Sequence, residues 1–245
     1  MPENHLQVQK SIPAHERLMF ALDVPGIEPA KKLVEELGDS VTFYKIGLEL
    51  LMAGNYFELL AWLIEKDKKV FADLKFFDVP QTVASAVKQL SQYGATFCTV
   101  HGNDSILKAA VEASGDSGLG ILAVTALTSL DQGDIEDLGF KADVQQIVLS
   151  RARRALELGC AGVISSGLEA PALREHVDNQ LLVITPGIRP VANVDDQKRT
   201  VDVEQAFANG ADYIVVGRPI KNHEGYASPR AAAEDIQARI TKVFT

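Results

Sequence analysis

Eight short apolar runs recur along this chain with helix-patterned segments between them, and no other feature narrows the possible folds as far. The runs are "RLMFALDV" (17–24), "VTFYKIG" (41–47), "KVFADLK" (69–75), "TFCTVHG" (96–102), "GLGILAVTAL" (118–127), "AGVISSG" (161–167), "LLVITPGI" (181–188) and "DYIVVGRPI" (212–220). Segments such as "PAKKLVEELG", "YFELLAWLIEKD", "TVASAVKQLSQYG" and "VQQIVLSRARRALELG" separate them, with the spacing of amphipathic helices. Strands that are apolar on both faces must be covered on both, and parallel neighbours need long crossovers, which helices supply. Eight such units predict an α/β protein folded as a single-domain (β/α)8 TIM barrel, with a doubly wound open sheet as the alternative. A length of 245 residues suits one barrel, and no Pro/Gly/Ser-rich linker divides the chain. Residues 17–245 are assigned to the barrel; residues 1–16, without a clear period, form an N-terminal tail or a cover over the barrel bottom.

Local punctuation agrees with that division. Gly38, Gly94, Gly159 and Gly210 stand where helices should end, and Ser228-Pro229 reads as an N-cap followed by a first-turn proline. With 47% hydrophobic and 23% charged residues, the composition is that of a folded globular domain. The formal charge of −9 argues against a general nucleic-acid surface, which needs a basic field. An anionic small molecule is compatible with that charge only if several cations gather at one place. Cys98 and Cys160 lie far apart in no metal-binding or redox spacing, so no metal site is expected. The leading "MPENHLQVQKSIPAHER" lacks the apolar core of a secretion signal, and no apolar run nears the roughly 20 residues of a membrane span. A cytoplasmic protein with no membrane partner is expected.

The stretch "FADLKFFDVPQT" (71–82) is anomalous for a core strand, because it ends in Asp73, Lys75 and Asp78. Strand side chains alternate, so Phe71, Asp73 and Lys75 share one face. Inward charges each cost roughly several kcal/mol to desolvate unless they pair and gain further hydrogen bonds. An ion pair that merely caps the core would meet that demand, and so would a reaction centre. Asp23 and Lys45, near the ends of the first two runs, favour the second, since barrel strand ends converge on one mouth where active sites form. After the seventh and eighth runs, "TPGIRP" and "VVGRPI" place Arg189, Gly217, Arg218 and Pro219 where barrels commonly bind phosphate. The aperiodic "PVANVDDQKRT" beyond Arg189 is long enough for a lid carrying Gln197 and Arg199, although a plain surface loop has the same composition. "LTSLDQGDIEDLGF" (127–140) is a second loop, whose Thr128 and Ser129 offer hydroxyls to a polar ring. His101 is either a catalytic base or, as expected, a neutral hydrogen-bonded wall residue.

In chain order, "ALDV", "YKIG", "DLKFFDVPQT", "LTSL", "TPGIRP" with a downstream Gln, and "VGRPI" resemble the orotidine 5′-phosphate decarboxylases, from about Leu18 to Ile220. The resemblance implies cofactor-independent conversion of orotidine 5′-monophosphate to uridine 5′-monophosphate and CO2, the last step of de novo UMP synthesis. It implies that Lys45, Asp73, Lys75 and Asp78 form an alternating charge array in which Lys75 is the proton donor. Asp78 and Thr82 would come from the partner subunit of a homodimer whose active sites are shared across the interface. By the same resemblance Asp23 binds ribose, Thr128 contacts the pyrimidine, Gln197 links base and phosphate from the lid, and Arg189, Gly217 and Arg218 hold the phosphate. Loss of CO2 leaves an electron pair in the ring plane at C6, out of reach of the π system. An ammonium fixed there answers the need that pyridoxal, thiamine or a metal meets elsewhere, with flanking carboxylates to keep it charged. Two alternatives stay open. One is a metal-dependent sugar-phosphate decarboxylase or aldolase of the same wider family, which resembles this chain in its Asp-x-Lys-x-x-Asp strand but carries an acid where Lys45 stands. The other is a non-catalytic nucleotide-binding barrel.

Overall fold

The computed structural model describes residues 10–127, 129–190, 200–223 and 225–245. Eight parallel strands follow one another around a closed barrel: β1 (Leu18–Ala21), β2 (Phe43–Gly47), β3 (Lys69–Phe76), β4 (Phe97–Val100), β5 (Gly120–Val124), β6 (Gly162–Ile164), β7 (Leu182–Thr185) and β8 (Tyr213–Val216). β8 pairs with β1, so the ring closes and the open-sheet alternative is excluded. Several strands are shorter than the apolar runs that mark them. The runs continue into buried turns at the mouth, where Leu22, Val24, Thr125, Ala126, Ser165 and Ser166 are all inaccessible without pairing as strand.

The periodic segments become the helices Ile27–Leu37, Tyr56–Glu65, Pro80–Leu90, Val144–Glu157 and Pro229–Phe244 on the outside of the ring. Gly94, Gly159 and Gly210 take φ of 76°, 81° and 100°, a region that residues with a Cβ enter only at a cost. Ser228 accepts a hydrogen bond from the Ala231 amide and Pro229 opens the last helix. The stretch 127–140 departs from its expected irregularity, because it contains the helix Gln132–Asp137. Asp131 accepts from the Asp134 amide while Asp134 accepts from the Asp131 amide, a reciprocal cap made of two aspartates in place of the usual Ser/Thr and Glu.

Alternation along each strand divides the apolar residues into an outer layer under the helices and an inner one inside the barrel. Phe43, Phe97 and Tyr213, each the first residue of its strand, fill the lower interior. Phe43 stacks on Phe97 with centroids 5.8 Å apart, and Tyr213 meets both edge-on at 5.9 Å. Ile12 packs against this cluster from the segment preceding β1.

Beneath the rings lies a buried charge network. Asp212 Oδ2 accepts from Arg174 Nη2 and Lys10 Nζ, both at 2.6 Å, and from the Val183 amide at 2.9 Å. Arg17 donates to the Asp212 carbonyl, and its guanidinium lies 3.9 Å over the Phe244 ring. The base of the barrel is therefore solid and clasped. A cavity lies at the opposite end, where the strands finish.

Candidate active site

Strand register explains how the charges reach one another. Between β2 and β3, Lys45 lies beside Phe71 and Gly47 beside Asp73, so the lysine starts one layer below the carboxylate and its stem rises past the glycine. A Cβ on Gly47 would sit 3.3 Å from Lys45 Nζ and 3.6 Å from the Asp73 carbonyl, which is tight enough to disturb the ammonium. Lys45 Nζ stands 3.1 Å from Asp23 Oδ1 and 3.5 Å from Asp73 Oδ2, and Lys75 Nζ is 2.8 Å from Asp73 Oδ1. Asp23, Lys45, Asp73 and Lys75 thus form a row of alternating charge across β1, β2 and β3. Burial alone would push the Asp73 carboxyl up. Lys45 and Lys75, with hydrogen bonds from Lys75 and Thr99, outweigh that and hold it below the ordinary carboxylate range.

Lys75 gains its position through a bulge. β3 and β4 pair at Ala72 with Cys98 and next at Phe76 with Val100, so β3 spends two extra residues over that interval. Lys75 takes φ of 47°, which for a residue with a Cβ costs roughly 1–2 kcal/mol. A bulge re-aims side chains, and here it presents the ammonium to the cavity at the strand ends.

That cavity has a volume of about 250 Å³. Among the described residues lining it are five cations, Lys45, Lys75, Arg189, Arg218 and Lys221, against the two carboxylates Asp23 and Asp73. Phe71, Val124, Ala126 and Ile164 supply an apolar floor and wall. Arg189 follows β7, with its amide bonded to the Val201 carbonyl at 3.0 Å. Arg218 opens the short helix Arg218–Lys221 after β8, and Gly217 before it lies so near β1 that a Cβ would be 3.2 Å from Ala21 Cβ. Lys221 donates to the Asp23 carbonyl at 2.8 Å, joining the turn after β1 to the helix after β8. The arrangement can hold an anionic group beside the β7 and β8 ends, lay a flat ring along the apolar wall and present a fixed ammonium from β3.

Of the residues singled out from sequence, Asp23, Lys45, Asp73, Lys75, Arg189, Gly217 and Arg218 line this one cavity. Asp78 and Thr82 do not. Both are exposed, and Asp78 accepts from the Val79 amide at 2.6 Å. Thr128, Gln197 and Arg199 lie outside the described residues. His101 corrects the expectation in one respect. Burial, then Arg151 and Lys75, lower its pKa and favour the neutral ring, but its buried Nδ1 has no hydrogen-bond partner among the described residues. Nor does it line the cavity; it packs on Phe77, with centroids 5.2 Å apart, in a separate depression. Gly47, Thr99 and Lys221 were not anticipated. Thr99 carried the clearest signal, being a polar residue two places beyond the inward Phe97.

Comparison with known proteins now bears on this geometry. Residues 16–236 match the family described as Orotidine 5'-phosphate decarboxylase / HUMPS family. An orotidine 5'-phosphate decarboxylase of Methylococcus capsulatus is 63% identical over 237 residues, covering 96% of each chain. One from Xanthomonas euvesicatoria is 50% identical over 230 residues, covering 93% of each. The crystal structure of orotidine 5'-phosphate decarboxylase from Lactobacillus acidophilus superposes with a TM-score of 0.80 at 34% identity, over 92% of this chain and 99% of that one. An uncharacterized conserved protein from Geobacillus kaustophilus gives 0.76 at 30% identity, over 93% and 100%. Sequence match and barrel architecture agree over nearly the whole length, and the chain belongs to the orotidine 5'-phosphate decarboxylase / HUMPS family.

Proposed function

We propose that this protein decarboxylates orotidine 5′-monophosphate to uridine 5′-monophosphate and CO2 in pyrimidine biosynthesis, without a metal or an organic cofactor. The observation that carries the reading is the row Asp23–Lys45–Asp73–Lys75, which ends in an ammonium held 2.8 Å from its counter-ion at the cavity. As the bond from C6 to the carboxylate breaks, its electron pair stays on C6 and CO2 departs. Lys75 stabilises that charge, transfers a proton to C6 and is reprotonated from solvent. Asp73 and Lys45 hold the amine in place. Arg189, Gly217 and Arg218 take the phosphate, Asp23 the ribose, Thr128 the pyrimidine, and Gln197 spans base and phosphate. The excess of cations in the cavity of a chain with charge −9 suits a substrate bearing both a phosphate and a carboxylate.

Lys45 also weighs against the metal-dependent alternative. Its ammonium lies between Asp23 and Asp73 and would repel a metal cation held by those carboxylates. The test is to mix purified protein, orotidylate and a chelator while following ultraviolet absorbance and UMP. Undiminished turnover is expected. Strict dependence on magnesium would select the metal enzyme, and tight binding without product the nucleotide-binding barrel.

Arg218→Ala is expected to lower kcat as well as kcat/KM, because binding energy at the remote phosphate is used to reach the transition state. A raised KM with kcat unchanged would limit Arg218 to simple binding.

The active unit of this reading is a homodimer in which Asp78 and Thr82 complete the partner's site. Support comes from Phe77 and Val79, apolar residues 69% and 62% exposed on either side of Asp78, outside this chain's own cavity. Chains carrying Lys75→Ala and chains carrying Asp78→Ala, each nearly inactive alone, are expected to regain activity on subunit exchange, since one of the two mouths is then intact. No recovery at any mixing ratio would refute shared sites. As a biosynthetic enzyme the protein is placed in the cytoplasm. Among the described residues no helix is long and apolar enough to cross a membrane.

A further inference from the structure

Thr99 lies on β4 two residues beyond the inward-facing Phe97, fully buried inside the barrel. Its hydroxyl makes two bonds. It donates to Asp73 Oδ1 at 2.8 Å and accepts from the backbone N–H of Lys75 at 2.9 Å. That same Oδ1 receives the Lys75 ammonium at 2.8 Å. The Lys75 amide falls inside the bulge, where regular pairing of β3 with β4 lapses, and the threonine hydroxyl takes the place of the missing ladder acceptor. One side chain on a neighbouring strand therefore grips both the backbone that carries the reactive amine and the carboxylate on which the amine rests.

We propose that Thr99 is a positioning residue for the decarboxylation: by bridging the bulge to Asp73 it fixes where the Lys75 ammonium stands. The inference rests on the reaction proposed above and deepens it, because Thr99 does not line the cavity and acts only through Asp73 and Lys75. A threonine present merely to fill the core would be replaced without loss by valine, which has nearly the same shape and lacks only the hydroxyl. A fixed ammonium has a sharper requirement, since displacement of a reacting group by about 1 Å can cost about 100-fold in rate.

Three variants test this. Thr99→Val is expected to lower kcat for orotidylate by about 10- to 100-fold with KM changed little, whereas Thr99→Ser, which keeps both bonds, retains most of the activity. The acid limb of the kcat profile should also move to higher pH in Thr99→Val, because a donor that favours ionised Asp73 has gone. Among the described residues the other charged and titratable groups around Asp73 are unchanged: Lys45 from β2, with Asp23 of the β1 turn beyond it, Lys75 from β3, and the buried phenol of Tyr56 from the helix Tyr56–Glu65. Should the valine variant fail to fold, Thr99→Cys offers a similar volume with a weak donor, and its kcat is expected to fall below that of Thr99→Ser. Wild-type protein inert toward orotidylate would overturn the reaction and this role together. Active wild type, with the valine variant (or, in its absence, the cysteine variant) matching it in kcat and pH profile, would overturn the role of Thr99 alone.

Discussion

Lys75→Ala is expected to reduce kcat for orotidylate by at least about 10⁴-fold while leaving the barrel folded. A positioned general acid contributes about 10²–10⁴, and a preorganised charge about 10²–10³; on this reading one amine supplies both. A 10⁴-fold loss corresponds to roughly 5 kcal/mol of barrier. The effect on folding is far smaller. Asp73 keeps Lys45 at 3.5 Å and Thr99 at 2.8 Å, so its charge is not abandoned when the nearer ammonium is removed. Arginine at the same position should not restore turnover, because a guanidinium does not give up its proton. Steady-state rates beside a thermal melt decide the matter, and an alanine variant within about tenfold of wild type would end the assignment of Lys75 as donor.

At the other end of the barrel, Asp212→Ala is expected to cost about 3–5 kcal/mol of stability, the usual penalty for stranding the partner of a buried ion pair. Arg174 loses its carboxylate partner and keeps only neutral carbonyl acceptors such as those of Gly210 and Leu181 among the described residues. Its side chain is only 2% exposed, and a guanidinium cannot shed its charge. Lys10 suffers less, because burial already pulls its pKa down against the pull of Asp212, and it can deprotonate or swing outward. The Val183 amide loses its acceptor as well. For a chain of this size a deficit of that order should lower Tm by roughly 10 °C. Turnover per folded molecule below the transition should be unchanged, since Asp212 does not line the cavity. A loss under about 1 kcal/mol by denaturant titration would show that the network is not buried as described.

The barrel was legible because eight runs, each closed by a helix pattern, leave few ways to bury two-faced strands. The ionic row was legible for a related reason: period-two alternation alone turns Asp73 inward with Phe71, and strand ends in a barrel share one mouth. What stayed hidden depends on register and on irregularity. Thr99 reads as an ordinary strand former until the bulge beside it exposes an amide. Gly47 reads as the end of a strand until pairing sets it beside Asp73 and under the Lys45 ammonium. His101 has the parity of Phe97 and Thr99, but β4 stops at Val100 and Gly102 turns at φ of 128°, so the imidazole rests on Phe77 outside the cavity. Asp131 and Asp134 form a cap that a search for Ser/Thr with Glu does not find. Asp78 was visible as a charge past the strand end, but the role proposed for it in a partner's site cannot be read from one chain's periodicity and entered only through resemblance.

The aromatic trio and the clasp of Asp212 lie at the base, and the backbone strain at Lys75 lies at the strand ends. Ballast and reactivity are thus housed at opposite ends of a single cylinder. A rim built this way can be rewritten, residue by residue, for a new reaction without recasting the foundation, and sturdier variants are best sought where no chemistry happens.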